Sequence, residues 1–194
     1  VVIGAGPAGM LAALRAAEAG ARVVLLEKNG RVGRKLMITG KGRCNLTNRK
    51  MWNAFSPHIY PKPNFFKPAF HFFTNDATVD FFESIGVETV LTRGDRVFPA
   101  SMKAVTVVDG LSRCLSRHEN INLMTDCTVT EVSRCEDDTM SVKFVRSSPN
   151  GGAPCSFTVE SRAVVVATGG MSYPTTGSTG DGYSFSESLG HTMT

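Results

Sequence analysis

The first 27 residues read VVIGAGPAGMLAALRAAEAGARVVLLE, and this stretch decides the fold. The β-branched residues at 1–3 predict a short buried strand, and the helix formers after the glycines predict a helix that ends at Gly20. Residues 21–27 predict a second strand. Strand, glycine-rich turn, helix and strand in this order form a βαβ unit, whose strands are parallel because the helix returns the chain to the same end of the sheet. We therefore predict an α/β fold.

The turn between the first strand and the helix has the spacing of a dinucleotide-binding fingerprint. Gly4 permits the tight turn, Gly6 lets the backbone approach a pyrophosphate, and Gly9 lets the helix pack closely on the strand. The start of the helix then offers free N–H groups and a partial positive charge to phosphates. The fingerprint does not distinguish an FAD site from an NAD site. The predicted binding loop comprises Gly4, Ala5, Gly6, Pro7, Ala8 and Gly9.

Glu27 ends the second predicted strand, where such folds carry an acid. Its carboxylate is predicted to accept hydrogen bonds from both hydroxyls of an adenosine ribose. The same charge would repel a 2′-phosphate, which argues against NADP at this site. The alternative for the whole stretch is a glycine-rich turn of another α/β protein.

Positive charge is concentrated in residues 28–50. This segment holds eight of the 21 lysines and arginines and no Asp or Glu, whereas the rest of the chain carries 13 basic and 17 acidic side chains. A short basic segment in an otherwise acidic body favours one anionic ligand over nucleic acid, which usually needs positive charge spread over a face.

Composition and cysteine usage exclude several other classes of protein. With 42% apolar and 20% charged residues the chain is too apolar for disorder and too lightly charged for a coiled coil. Five cysteines without a C-x-x-C pair and four scattered histidines argue against a metal site and favour free thiols. We predict a cytoplasmic protein without a membrane partner, although a chain that starts at Val1 leaves open whether a leader preceded it.

Aromatic residues are dense between residues 52 and 82, where helices are predicted around 65–85. Only Lys62 and Lys67 are basic there, so we predict core packing rather than base stacking, and no nucleic-acid partner. Ser101 is predicted to cap the next helix.

Strands dominate the next part of the sequence. A β-meander is predicted over about 121–160, with a hairpin whose turn includes SSPNGGAPC. Residues 163–167 predict a further buried strand, which ends in TGG and is followed by a glycine-rich loop and a short helix closed by Gly190.

Three motifs follow the fingerprint: GRKLMITGKGRCNLTN (33–48), RGDRVFPAS (93–101) and ATGGMSYPTTGSTGDGYSFSESLGH (167–191). In this order the set resembles a family of bacterial FAD-dependent oxidoreductases that includes aminoacetone-oxidase-like proteins and 3-dehydro-bile-acid reductases. The resemblance covers essentially the whole chain. It implies a Rossmann-like FAD/NAD(P)-binding fold with a central parallel sheet and a β-meander, and FAD as a non-covalent cofactor.

The resemblance also implies the reaction class. We expect hydride transfer through flavin N5 to or from a small organic substrate, with NAD(P)H as a candidate donor. The alternatives are an NAD-dependent dehydrogenase and a non-catalytic dinucleotide-binding module. No catalytic acid or base can be named, and the oligomeric state is not predicted.

Several residues outside the fingerprint are predicted to contact FAD. Gly40 and Gly42 allow close backbone approach, and the basic side chains around them supply charge for a pyrophosphate or reduced flavin. The other assignments follow the resemblance, and for Asp181 the alternative is a helix cap. Cys44 is predicted to be packed rather than catalytic. The predicted cofactor-binding residues of this group are Lys28, Arg34, Lys35, Thr39, Gly40, Gly42, Asn45, Val129, Thr168, Gly169, Gly170 and Asp181.

Members of the family are considerably longer than this sequence. We therefore expect residues 1–194 to form the N-terminal part of one FAD-binding domain, without the inserted substrate domain and the C-terminal FAD segment. Such a piece is expected to retain flavin poorly, because its sheet would lack its last strand.

Overall fold

The computed structural model describes residues 1–148 and 152–193. The chain divides into two compact units. The terminal unit comprises residues 1–36 and 112–194, and the middle unit comprises residues 37–111.

Short strands and helices alternate along the chain. The strands are β1 (Val2–Ile3), β2 (Val23–Leu26), β3 (Thr47–Asn48), β4 (Thr89–Thr92), β5 (Arg96–Pro99), β6 (Ile121–Met124), β7 (Cys127–Arg134), β8 (Met140–Arg146), β9 (Cys155–Ser161) and β10 (Val165–Val166). The helices are α1 (Pro7–Glu18), α2 (Trp52–Phe55), α3 (Pro63–Phe72), α4 (Asn75–Ser84), α5 (Ala104–Ser116) and α6 (Asp181–Ser188). Short 3-10 turns lie within Leu36–Gly42, Ser56–His58 and Pro174–Thr176.

A four-stranded parallel sheet organises the terminal unit, in the order β10-β1-β2-β6. Helix α1 connects β1 to β2 and buries Met10, Ala13 and Leu14. The predicted βαβ unit is therefore confirmed. Its strands are short, but every one of their side chains except Val24 is buried, which is typical of a sheet covered on both faces.

Strands β7, β8 and β9 form a second, antiparallel sheet in the same unit. Val132, Val142 and Phe144 of this sheet share one apolar core with Ile3 and Leu26 of the parallel sheet. The predicted meander is confirmed for these three strands, but β6 pairs in parallel with β2 and does not belong to it. Residues 149–151 of the predicted hairpin turn lie outside the described residues.

Two local predictions are wrong. The strand predicted over 163–167 is reduced to β10, and Val165 and Val166 are 44% and 38% exposed because this strand lies at the edge of the sheet. Ser101 is not at the cap position, since α5 begins at Ala104. Its hydroxyl accepts a hydrogen bond from the Lys103 N–H ahead of the helix.

The middle unit contains the antiparallel sheet β3-β5-β4 and the helices α2, α3 and α4. Phe70 and Phe82 are buried, and Phe70 packs against Trp52 with ring centroids 5.2 Å apart. The prediction of core packing is wrong for Phe65 and Phe72, which are 90% and 91% exposed. In the described part of the chain, no helix is long and apolar enough to cross a membrane.

Candidate functional site

A cleft of about 580 Å³ opens where the strands β1, β2 and β10 end. The residues that line it belong to the terminal unit. Its volume is in the range of small-molecule sites, and the carboxyl ends of parallel strands are where α/β proteins bind their ligands.

The first and third glycines of the fingerprint hold the turn against its neighbours. Gly4 has a φ of +97°, and a Cβ there would lie 2.6 Å from the carbonyl oxygen of Ala167. A Cβ on Gly9 would lie 1.8 Å from the carbonyl oxygen of Gly4. Neither position has room for a side chain, so both glycines are required for β1, α1 and the end of β10 to meet.

Gly6 differs from its two neighbours because it faces open space. It is the residue that precedes α1 and it lines the cleft. A Cβ on Gly6 would have no described heavy atom within 4 Å. The backbone at the start of α1 is therefore open to a ligand, and the first turn of a helix carries N–H groups without intrahelical partners.

Glu27 lines the cleft beside this turn and is 7% exposed. Its Oε2 accepts a hydrogen bond from the N–H of Ala5 at 2.8 Å. Its Oε1 accepts from the N–H of Asn29 at 2.9 Å and from the side-chain amide of Asn29 at 2.6 Å. These donors compensate the buried charge and fix the carboxylate beside the fingerprint.

Asn29 connects three parts of the site, and sequence reasoning missed it. Besides its bonds to Glu27, its side-chain amide donates to the carbonyl oxygen of Thr176 at 3.4 Å. Its Oδ1 accepts from the guanidinium of Arg34 at 2.7 Å. The sequence signal is weak: an asparagine two residues after the acid that ends β2.

Lys28 is paired with a residue more than 150 positions away. Its ammonium donates to Oδ2 of Asp181 at 2.7 Å and to the hydroxyl of Thr179 at 2.6 Å, and Thr179 in turn donates to Oδ1 of Asp181. Burial acts to raise the pKa of Asp181, but the hydrogen bonds from Lys28 and Thr179 outweigh it and the pKa lies below its usual value. Asp181 is the first residue of α6, and Gly180 precedes the helix, so the alternative of a simple cap does not describe it.

Lys35 joins the basic segment to the loop after β10. Its ammonium donates to the carbonyl oxygen of Ser172 at 2.7 Å. Thr168 and Gly169, at the start of that loop, line the cleft, whereas Gly170 lies against the hydroxyl of Tyr183, 3.3 Å from where its Cβ would be.

Apolar side chains form another part of the cleft wall. Val129 contributes to it from β7, beside a bulge between Val129 and Glu131. Cys127 and Phe185 are buried next to it. Burial raises the pKa of the Cys127 thiol, which therefore acts as a small apolar group.

Four predicted cofactor residues belong to the middle unit. The turn at Gly40 and Gly42 has positive φ angles at both glycines. The carbonyl oxygen of Thr39 accepts from the N–H of Cys44 at 3.0 Å, and the amide of Asn45 donates to the carbonyl oxygen of Val97 at 3.1 Å. These contacts are internal to the middle unit, and the ligand roles of Thr39, Gly40, Gly42 and Asn45 stay predictions. Cys44 is buried, and burial raises the pKa of its thiol, which supports the prediction that it is packed.

A model of the HI0933-like protein Rossmann domain matches residues 1–194. The chain belongs to this family. The 3-dehydro-bile acid delta(4,6)-reductase of Clostridium scindens is 33% identical over 195 residues, a match that covers 99% of this chain and 44% of the relative. The ribosomal RNA dihydrouridine synthase of Haemophilus influenzae is 29% identical over 191 residues, covering 98% of this chain and 45% of the relative. The chain thus spans less than half the length of either relative.

A solved structure of a quinol fumarate reductase from E. coli has the same fold as this HI0933-like chain. It superposes with a TM-score of 0.61 at 16% identity, covering 87% of this chain and 32% of the other. The Rossmann-like fold predicted for the chain is therefore confirmed.

Most of the predicted cofactor-binding residues of this HI0933-like chain line the cleft. Ala5, Gly9 and Gly170 belong to the terminal unit but do not line the cleft, and the remaining four belong to the middle unit. Those that line the cleft are Gly4, Gly6, Pro7, Ala8, Glu27, Lys28, Arg34, Lys35, Val129, Thr168, Gly169 and Asp181.

Proposed function

We propose that residues 1–194 form the N-terminal part of an FAD-binding domain and that the cleft binds the ADP half of FAD. The observation that carries the proposal is the open space at Gly6, in a cleft that also contains the buried carboxylate of Glu27. Backbone N–H groups at the start of α1 would hold the pyrophosphate, and Glu27 would accept from the ribose hydroxyls. Lys28, Arg34 and Lys35 add positive charge at the same cleft.

The charge on Glu27 supports an unmodified ribose. A 2′-phosphate would bring two further negative charges to a carboxylate that is already buried, which disfavours NADP in this cleft. NAD(P)H is therefore proposed as a donor that binds elsewhere on the protein.

We infer that the whole protein is a flavin-dependent reductase. Bound FAD supplies two-electron chemistry through N5, and the protein contributes binding, orientation and charge. Both relatives are named for the hydrogenation of a carbon–carbon double bond: one for the delta(4,6) bonds of a 3-dehydro bile acid, the other for the conversion of uridine to dihydrouridine in ribosomal RNA. In each case the double bond is conjugated with a carbonyl group. We propose the same bond type as the substrate of this protein.

The proposed reaction is balanced by the donor. NAD(P)H gives a hydride, the solvent gives a proton, the two hydrogens add across the double bond, and NAD(P)+ leaves. A small organic substrate is favoured over RNA because the positive charge is confined to one short segment. No membrane partner and a cytoplasmic location stay predictions.

Binding is tested first on the whole protein, by titrating it with FAD and following flavin fluorescence. For the whole protein we expect saturable one-to-one binding and co-purifying flavin with a visible band at about 450 nm. A chain that binds NAD in the cleft but not FAD would favour the dehydrogenase alternative.

Activity is tested on the whole protein with NADH or NADPH, an α,β-unsaturated ketone of the steroid type, and unmodified ribosomal RNA. Donor oxidation that depends on the ketone supports the proposal. Reduction of uridine in the RNA alone would replace the small molecule with RNA as substrate, and bound FAD that no donor reduces would favour a non-catalytic module.

A further inference from the structure

The hydroxyl of Ser178 is a polar group of the cleft wall that the hydrogen-bond network leaves unused. Ser178 is 7% exposed and lines the cleft. Its hydroxyl makes no hydrogen bond to any residue that the structure describes. Among the residues that the structure describes, every fully buried side-chain nitrogen or oxygen atom has a hydrogen-bond partner. The Ser178 oxygen therefore retains some accessible surface, in a residue that lines the cleft.

Gly169 keeps this hydroxyl accessible. A Cβ on Gly169 would lie 2.9 Å from the Ser178 oxygen and 4.0 Å from the ammonium nitrogen of Lys35. Both groups thus flank the same point, which carries no side chain. A neutral hydroxyl donor and a positive charge thus lie close together, and Lys35, Gly169 and Ser178 all line the cleft.

The neighbours of Ser178 place it near the end of the cleft marked by Glu27. A Cβ on Gly177 would lie 2.6 Å from the side-chain nitrogen of Asn29, which is bonded to Glu27. Thr179 accepts a hydrogen bond from Lys28 at 2.6 Å. The residues on both sides of Ser178 therefore contact the two residues that follow Glu27 in the chain.

We propose that the Ser178 hydroxyl donates a hydrogen bond to a diphosphate oxygen of the ADP half of the cofactor, an assignment that rests on the proposed function. A phosphate oxygen is the acceptor that suits a hydroxyl beside an ammonium group, since the bond is charge-assisted and the ammonium balances the anion. The burial of Ser178 makes the bond worth more than it would be at the surface.

The test is Ser178→Ala in the whole protein, with the affinities for FAD, ADP and adenosine measured by calorimetry. We expect the affinities for FAD and ADP to fall by the same factor, about tenfold, which is the usual scale for a hydrogen bond to a charged group. The affinity for adenosine, which lacks the diphosphate, is expected to stay unchanged. The ligand-free variant is expected to unfold at the same temperature as the wild type or higher, because it loses a nearly buried hydroxyl without a protein partner.

Ser188→Ala is the matched control. The Ser188 hydroxyl donates to the carbonyl oxygens of Phe185 at 2.9 Å and of Val132 at 3.4 Å, and Ser188 does not itself line the cleft. This variant is expected to keep the wild-type affinity for all three ligands.

The outcomes separate this proposal from the one on which it rests. A whole wild-type protein that binds neither FAD nor ADP overturns the proposed function. A wild-type chain that binds both, with Ser178→Ala binding them equally well, overturns the role of Ser178 alone. Loss of FAD affinity with unchanged ADP affinity also overturns it, because the hydroxyl would then contact the flavin half.

Discussion

The side-chain amide of Asn29 lies 2.6 Å from Oε1 of Glu27, and the main-chain N–H of Asn29 donates to the same oxygen. Among the residues that the structure describes, Asn29 thus supplies two of the three donors to the buried carboxylate. The side-chain oxygen of Asn29 also accepts a hydrogen bond from Arg34. Asn29 therefore holds the Glu27 carboxylate and the Arg34 guanidinium in a fixed position relative to each other.

Glu27→Ala is expected to weaken FAD binding by about 1 to 3 kcal/mol, the scale of hydrogen bonds to a charged group. Asn29→Ala is expected to cost about 0.5 to 1.5 kcal/mol, because the main-chain donor to Glu27 remains. Both are measured by fluorescence titration with FAD. The control is Asn120→Ala, which removes hydrogen bonds to Ala17 and Ala21; it should lower stability and leave affinity intact. Unchanged affinity in Glu27→Ala would show that the ribose binds elsewhere.

The fingerprint glycines are expected to respond in opposite ways to alanine. Gly9→Ala drives a Cβ into the carbonyl oxygen of Gly4, so it should destabilise the fold by about 3 kcal/mol or more, as overpacking does. Gly6→Ala meets open space, so the ligand-free chain should keep its stability within about 1 kcal/mol. We expect Gly6→Ala to lose FAD affinity all the same. Calorimetric unfolding and FAD titration together check this, and tight FAD binding by Gly6→Ala would contradict a pyrophosphate at that position.

The Lys28–Asp181 pair is expected to make stability depend on pH. The pKa of Asp181 is lowered in the folded chain, so the pair stabilises the fold above the ordinary carboxyl pKa and its contribution is lost as the pH falls through the folded value. Asp181→Asn should lower the free energy of unfolding at pH 7 by about 0.5 to 1 kcal/mol, the upper range for a partly exposed pair. The difference from wild type should shrink below about pH 4.

Asp138→Asn is the control for that measurement. This substitution breaks the ion pair between Asp138 and Arg134, whose side chains are 78% and 66% exposed, respectively. Because solvent screens such an exposed pair, little change in the free energy of unfolding is expected. If the two variants behaved alike at every pH, Lys28 and Asp181 would not form a stabilising pair.

Thiol reactivity is expected to follow burial. Burial raises the pKa of the Cys44 and Cys127 thiols, and the thiolate is the reactive form. At about pH 8, alkylation followed by mass spectrometry should therefore modify the exposed Cys155 before either of them. Rapid modification of Cys44 would instead indicate an activated thiol in the middle unit.

Local pattern was enough to predict the βαβ unit, the fingerprint and the acid after β2. Each depends on residues close together in sequence: glycines that the turn requires, helix formers in one run, and a β-branched strand. Periodicity also predicted the strands β7, β8 and β9. It did not predict that β6 pairs with β2 instead of joining the meander, because these two strands are nearly a hundred residues apart in the sequence.

The amino-acid sequence by itself determined the class of fold, the ligand-binding loop and Glu27, since these follow from short-range sterics and charge. Only the tertiary structure decided that Lys28 pairs with Asp181, that Asn29 reaches Thr176, and that Ser178 lines the cleft. The physical reason is that these contacts join the end of β2 to the loop after β10, about 150 residues apart in the chain, and nothing in either segment alone specifies its partner.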